Sequence, residues 1–326
     1  MSRGLGGMSG LVEFHDREPV ADHFLRDVLH GLKGTPKTLV PKYFYDEVGS
    51  ALFEAICALE EYYPTRTELA MMEAHAPAMA ASMGAGSALI EFGSGASRKS
   101  RLLIAASRPS VYVPIDISRE MLRLASEGLH RSFPDLRILA VCADYSSAFV
   151  LPSLDRYGAN RRVMYFPGST VGNFDPPDAV AFLRQLTQLA GPGGGLLIGV
   201  DLRKDKATLE AAYDDPQGVT AAFNLNLLAR INRQLGADFD VRAFRHRVHY
   251  DEGLGRIEMH LESLCDQSVR IGATTIAFGR GETIHTENSY KYSVSAFQAL
   301  AASAGFQSRE CWVDDGNRFS VHYMVC

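Results

Sequence analysis

Ala88-Leu89-Ile90-Glu91-Phe92-Gly93-Ser94-Gly95-Ala96-Ser97 is the stretch on which the fold turns. Its first half reads as a buried strand. The glycines after it let the backbone turn tightly and lie against a ligand before a helix begins near Lys99. A dinucleotide loop needs a third glycine at position 98, so that the helix packs close beside a pyrophosphate. Arg98 stands there instead. Glu91, just before the loop, also sits poorly near a pyrophosphate, whereas a carboxylate suits a ligand carrying an ammonium. The pattern favours S-adenosylmethionine over NAD.

Working outward, Val111–Ile117, Leu136–Ala143, Val163–Phe166 and Leu196–Val200 are further short apolar runs. Lys99–Ala106, Glu120–His130 and Asp178–Ala190 lie between them and read as helices. Strands apolar on both faces, separated by helices, predict a parallel sheet covered on both sides. Asp116 ends the second strand, where it is placed to accept both hydroxyls of a ribose. Asp144 ends the third, where it is placed to accept from an adenine amine, with Tyr145 flanking the ring. Open α/β sheets bind ligands at such strand ends.

After Leu202 the rhythm changes. Asp205–Gln234 reads as helical with a break near Asp214-Asp215-Pro216, and Arg245–Tyr250, Arg256–Leu261 and Val269–Phe278 read as hairpin-like strands. The tail returns to α/β character. Ser293 is a candidate N-cap, Gly305 a stop, and Ser308–Val313 and Phe319–Val325 are two final strands. The expected organisation is a flexible leader over 1–10, a doubly wound core over 65–202 and 292–326, and an α+β unit made of 11–64 and 203–291.

Composition narrows the function. The chain has 326 residues, 46% hydrophobic and 22% charged, with a formal net charge of −5, which is globular and carries no like-charge block. Its basic clusters, Arg161-Arg162 and Arg242 to Arg247, are too small to track phosphates, so nucleic acid is not an expected partner. The five cysteines are scattered, with neither disulfide nor zinc spacing. No apolar run approaches the roughly 20 residues of a membrane span, and the N-terminus lacks a signal-peptide core. A cytoplasmic protein is expected, with no obligatory protein partner evident.

Several segments carry a resemblance: Tyr43-Phe44-Tyr45-Asp46, Glu61 to Glu68 (EYYPTRTE), Phe166 to Phe174 (FPGSTVGNF), Ala212-Tyr213-Asp214-Asp215, Gly218 to Asn224 (GVTAAFN), Arg256-Ile257-Glu258-Met259 and Thr286-Glu287-Asn288-Ser289. Together they resemble the ergothioneine-pathway histidine Nα-methyltransferases over nearly the whole chain beyond the leader. The resemblance implies a Rossmann-like class I methyltransferase sheet with an inserted α+β substrate-binding domain. It implies cofactor contacts from Gly93, Lys99, Asp116, Asp144 and Tyr145, with Tyr45 near the reacting end. It also implies a substrate site of Tyr62, Gly168, Asn173, Tyr213, Met259, Glu287 and Ser289. The implied activity is trimethylation of free histidine to its betaine.

The side chains fit such a substrate. Asn173 and Tyr213 offer donors to a carboxylate. Glu287 and Ser289 are two apart on an extended segment, so they share a face while Asn288 points away. An acceptor beside a hydroxyl suits an imidazole, and Tyr62 is within reach of its other side. Tyr45 and the Gly168 carbonyl are the candidates for orienting the amine. Singly, each residue has a competing structural reading: core tyrosines, a loop asparagine, or a surface pair between Glu287 and Lys291. His246 and His249 fall on opposite faces of one strand and His285 adds no third ligand, so no metal is expected. Two other functions remain open on these residues: methylation of another amine by the same fold, and a non-catalytic, cofactor-binding regulator.

Overall fold

The computed structural model describes residues 12–16, 22–95, 98–145 and 150–326. The leader over 1–10, and Ala96 and Ser97 of the glycine loop, lie outside the described residues. The strands in chain order are β1 Val12–Asp16, β2 Lys37–Thr38, β3 Ala88–Phe92, β4 Val111–Asp116, β5 Ile138–Cys142, β6 Arg162–Phe166 and β7 Gly195–Asp201. They continue as β8 Phe244–Asp251, β9 Arg256–Ser263, β10 Gln267–Ile271, β11 Thr274–Phe278, β12 Thr283–Tyr290, β13 Gln307–Val313 and β14 Phe319–Val325.

The main sheet runs β1-β5-β4-β3-β6-β7-β14-β13, parallel except for β14, which is antiparallel to both of its neighbours. Strands β3, β5 and β7 are buried along their whole length, as their apolar runs require. Successive side chains point to opposite faces. On one face Leu89, Tyr112 and Leu197 meet Met72 and Met79 of helix Tyr63–Met83 and Leu103 of helix Arg98–Ser107. On the other, Ile90, Val113 and Ile198 meet Leu183 and Leu186 of helix Pro176–Ala190 and Phe297 of helix Val294–Ser303. Ser293 caps that last helix, its hydroxyl accepting from the Ala296 amide at 3.1 Å. From β3 the chain winds outward to β4 and β5, then returns to β6 and β7 on the other side. That reversal opens a crevice at the carboxyl ends of β3 and β6, where a ligand is held in this class of sheet.

Strands β8, β9 and β12 form a second sheet with β2, in the order β2-β12-β9-β8, while β10 and β11 pair with each other. Helices Glu47–Ala58 and Val219–Leu235 close a separate core with it, built on Phe44, Phe223, Leu227, Ile257 and Leu261. The expected break at Asp214-Asp215-Pro216 falls between helices Lys206–Ala211 and Val219–Leu235. Among the described residues, no helix is long and apolar enough to cross a membrane.

Two expectations are corrected. Val12–Asp16, assigned with the insertion, pairs in parallel with β5 of the main sheet, Val12 opposite Ile138. β5 is buried on both faces, and without this strand its outer edge would carry unpaired amides and carbonyls. Val269–Phe278 is a hairpin, broken at Gly272 into β10 and β11.

The short turn Thr170–Asn173 leaves β6 and lies directly on β12. A Cβ on Gly172 would stand 2.7 Å from the Tyr290 carbonyl oxygen and 3.1 Å from its nitrogen. Gly172→Ala is therefore expected to cost about 1–3 kcal/mol through backbone overpacking, read as a lowered Tm. An unchanged Tm would contradict this contact.

Candidate active site

The loop after β3 is pinned from below. Gly93, at φ +72°, adopts a conformation that favours glycine and donates its amide to the Ile115 carbonyl at 2.8 Å. Asp116 accepts from the Gly95 amide at 3.1 Å and from the Ser118 amide at 2.8 Å. Burial pushes its carboxyl up, and those amides oppose the shift. Tyr145 stands edge-on to Phe92 and to Phe166, each at 5.9 Å between ring centres. A Cβ on Gly93 would reach to 3.6 Å from the Tyr145 hydroxyl, so loop and ring form one wall. Asp144 pairs with Lys42 at 2.9 Å, brought in by the turn Pro41–Phe44. Lys99, in the first turn of its helix, pairs with Glu68, whose Oε2 also accepts from the Gly168 amide at 2.8 Å.

Glu91 departs from the expectation. It is 2% exposed, and its carboxylate accepts from Ser100 at 2.6 Å and from Tyr112. Burial pushes its carboxyl up to about 7, against those two hydroxyls. Its alternation on β3 turns it towards the helix Arg98–Ser107, which carries Ser100.

Tyr45, Tyr62, Gly168, Asn173, Tyr213, Met259, Glu287 and Ser289 all line one cavity between the two sheets, with Phe53 and Phe223 completing its apolar side. Met259 lies directly opposite Glu287 in the β9–β12 ladder, next to a bulge between His285 and Glu287. Asn288 faces outward and donates to Asp175 at 3.1 Å, as the alternation predicts. Glu287 is 9% exposed and accepts from the Asn173 amide at a long 3.5 Å. Burial pushes its carboxyl up to about 7, opposed by the Lys291 charge. A buried carboxylate so weakly satisfied is poised to take a ligand's N–H.

The surface pair between Glu287 and Lys291 does not form. Lys291 is buried behind the cavity wall, where its ammonium contacts Asp201 at 2.7 Å. Asp201 ends β7 and also holds Lys204 at 2.7 Å and the Tyr63 hydroxyl at 2.8 Å. Burial lowers Lys204 to about 8 despite Asp201. His246 is a packing residue: it takes the Asn224 amide at 2.9 Å and contacts the Tyr213 carbonyl at 2.9 Å. Asp201 and Glu68 carried no assigned role in the sequence, and Lys291 entered only as a surface partner for Glu287. Two signals were available: Lys291 shares the alternation of Glu287 and Ser289, and Asp201 closes a strand as Asp116 does.

The ring of His285 stacks on that of His260 at 4.7 Å, and Glu258 completes a group of potential metal ligands. They sit on neighbouring strands, which spacing along the sequence does not reveal. Glu258 is already held by Arg256 at 2.8 Å, and burial, with the His285 and Arg247 charges beside it, opposes protonation of His260. A dication there would face both guanidiniums. The cluster is a hydrogen-bonded outer face of the second sheet.

Carboxylates at two strand ends, a lysine in the first helical turn and a polar cavity across from them suit a cationic methyl donor facing a small zwitterion. The model of the histidine-specific, S-adenosylmethionine-dependent methyltransferase family matches residues 24–326. The chain belongs to that family. It is similar to the histidine N-alpha-methyltransferase of Mycobacterium tuberculosis (strain CDC 1551 / Oshkosh), with 43% identity covering 91% of this chain and 92% of that protein. The enzyme of the same name from Mycolicibacterium smegmatis is 40% identical, over 97% of this chain and 98% of that one. Ergothioneine biosynthesis protein 1 of Neurospora crassa is 32% identical over 90% of this chain, which spans 34% of that longer protein.

For a histidine-specific methyltransferase of this geometry, Asp116→Ala should weaken S-adenosylhomocysteine binding by about 1.5–3 kcal/mol, since hydroxyls lose a charged acceptor. Titration calorimetry checks it. Unchanged affinity would make Asp116 only the anchor of the loop.

Proposed function

We propose that this chain trimethylates the α-amine of free histidine, giving its betaine as a step towards ergothioneine. The setting is the cytoplasm, and no obligatory protein partner takes part. The observation that carries the proposal is the pairing of a buried, under-satisfied carboxylate, Glu287, with a hydroxyl, Ser289, on one face of β12. An imidazole presents one N–H and one lone pair, which an acceptor and a donor side by side satisfy together.

S-adenosylmethionine supplies a methyl group on a sulfonium. Asp116 is assigned to its ribose, Asp144 and Tyr145 to its adenine, Lys99 to its carboxylate, and Gly93 to the loop beneath it. The donor set supports the fit: two carboxylates suit hydroxyls and an amine, and would repel a pyrophosphate. Occupancy requires Lys42 to share or release Asp144, and Lys99 to do the same with Glu68.

On the substrate side, Asn173 and Tyr213 hold the carboxylate, Met259 and Tyr62 close on the ring, and Tyr45 and the Gly168 carbonyl aim the amine. The amine must first lose a proton, with a bulk pKa of roughly 9. Its lone pair then forms the N–C bond as the C–S bond breaks, the electron pair returning to sulfur. Alignment supplies much of the barrier reduction once the amine is neutral, and water takes the proton. Re-alignment after each transfer leads to a product with no lone pair left.

Incubating the protein with S-adenosylmethionine and the twenty common amino acids, then weighing the products, tests the proposal: histidine carrying three methyl groups is expected, and methylation confined to another amine would refute it. Glu287→Ala should lower kcat/KM for histidine by about 1–3 kcal/mol and relax discrimination against phenylalanine. In the wild type, kcat/KM for histidine should rise as pH passes about 7 and Glu287 ionises, and Glu287→Gln should lose that limb. A variant with the wild-type preference would remove Glu287 as the specificity residue.

A further inference from the structure

Lys291 is 1% exposed and does not line the cavity, yet it touches two residues that do. Its three N–H bonds meet three acceptors: Asp201 at 2.7 Å, the Ser289 hydroxyl at 2.8 Å and the Tyr213 hydroxyl at 2.9 Å. An ammonium has no further donor and no lone pair, so it is fully committed. Burial works against its charge, but Asp201 and Tyr213 hold it above the ordinary lysine range. The two hydroxyl oxygens are themselves 2.8 Å apart and share a hydrogen bond.

Counting protons gives the consequence. The hydroxyl pair owns two, and one lies between the two oxygens. Because Lys291 donates to both oxygens, neither can point its proton back at the ammonium. The second proton is left to face the cavity, and a ligand with two acceptors draws both protons outward.

We propose that Lys291 is a positioning residue for substrate binding, turning the Tyr213–Ser289 pair into a hydrogen-bond donor aimed at the amino acid. The inference rests on the proposed amino-acid site and extends it. The pair meets two acceptors on the ligand: Tyr213 the carboxylate oxygen beside Asn173, and Ser289 the bare imidazole nitrogen opposite Glu287. Glu287 meanwhile provides the acceptor for the ring N–H. Donor and acceptor are thereby assigned to separate residues, and the bound orientation of the ligand follows from that polarity. Asp201 makes the arrangement durable, since it keeps the ammonium charged in a site with no water-exposed partner.

Lys291→Met should raise the KM for histidine about tenfold or more, because both hydroxyls become free to rotate. The Kd for S-adenosylhomocysteine should stay within a factor of about two and kcat should change far less than KM, as expected for lost ground-state binding. This variant leaves Asp201 with Lys204 and Tyr63 but removes one of its two cations, so Tm is measured beside KM. Lys291→Gln, which keeps an amide donor for Asp201 and leaves the Lys204 pair intact, is expected to hold Tm while histidine KM stays raised. Wild-type KM in either variant would overturn the inference and leave Lys291 a structural counter-ion. If the wild-type protein methylates a different amino acid, the functional proposal fails separately, and the same variants are then read with that amino acid.

Discussion

A buried carboxylate at the end of β7 governs how the two halves of this protein meet. Asp201 receives Lys291 from the end of β12, Lys204 from the chain just after β7, and Tyr63 from the helix that covers the main sheet. Backbone contacts run through the same point: the Tyr292 amide donates to the Asp201 carbonyl at 3.2 Å, and the Arg203 amide to the Tyr292 carbonyl at 3.0 Å. The insertion is thus fastened to the sheet within a few residues of the substrate wall. Replacing a buried ion pair by apolar residues is often neutral, whereas removing one partner costs about 3–5 kcal/mol. The value of this cluster therefore lies in the geometry it enforces more than in net stability.

That anchorage separates two chemistries across one cavity. On the cofactor side, acceptors dominate: Asp116 and Asp144 at adjacent strand ends, with Glu68 joining Lys99 to the Gly168 amide. On the substrate side, donors dominate, from Asn173, Tyr213 and Ser289, with Glu287 the exception. The left-handed Ser169, at φ +58°, sits between them, its hydroxyl accepting from the Asp201 amide at 2.8 Å. The turn carrying Gly168 and Asn173 is thus tied to the backbone of the same residue whose carboxylate holds Lys291.

Much of this was legible in the sequence because the responsible forces are local. Apolar runs between helices marked the main strands, Ser293 marked a helix start, and alternation put Glu287 and Ser289 on one face. What escaped depends on contacts between distant segments. β1 is too short to declare its partner. On a strand buried from both sides, alternation alone does not reveal that Glu91 is held by Ser100 and Tyr112. Lys291 looked like a surface partner for Glu287 because its true partner, Asp201, lies on another sheet. His260 and His285 face each other across a ladder whose register no spacing reveals.

The central claim is a polarity: donors from Tyr213 and Ser289, an acceptor from Glu287, and the amine directed past Gly168 towards the cofactor side. A crystal structure of the complex with S-adenosylhomocysteine and histidine tests it most directly. The account predicts the imidazole between Glu287 and Ser289, the carboxylate on Asn173 and Tyr213, and the α-amine facing the cofactor's sulfur. Histidine bound with its ring towards the sulfur, or outside this cavity, would contradict it.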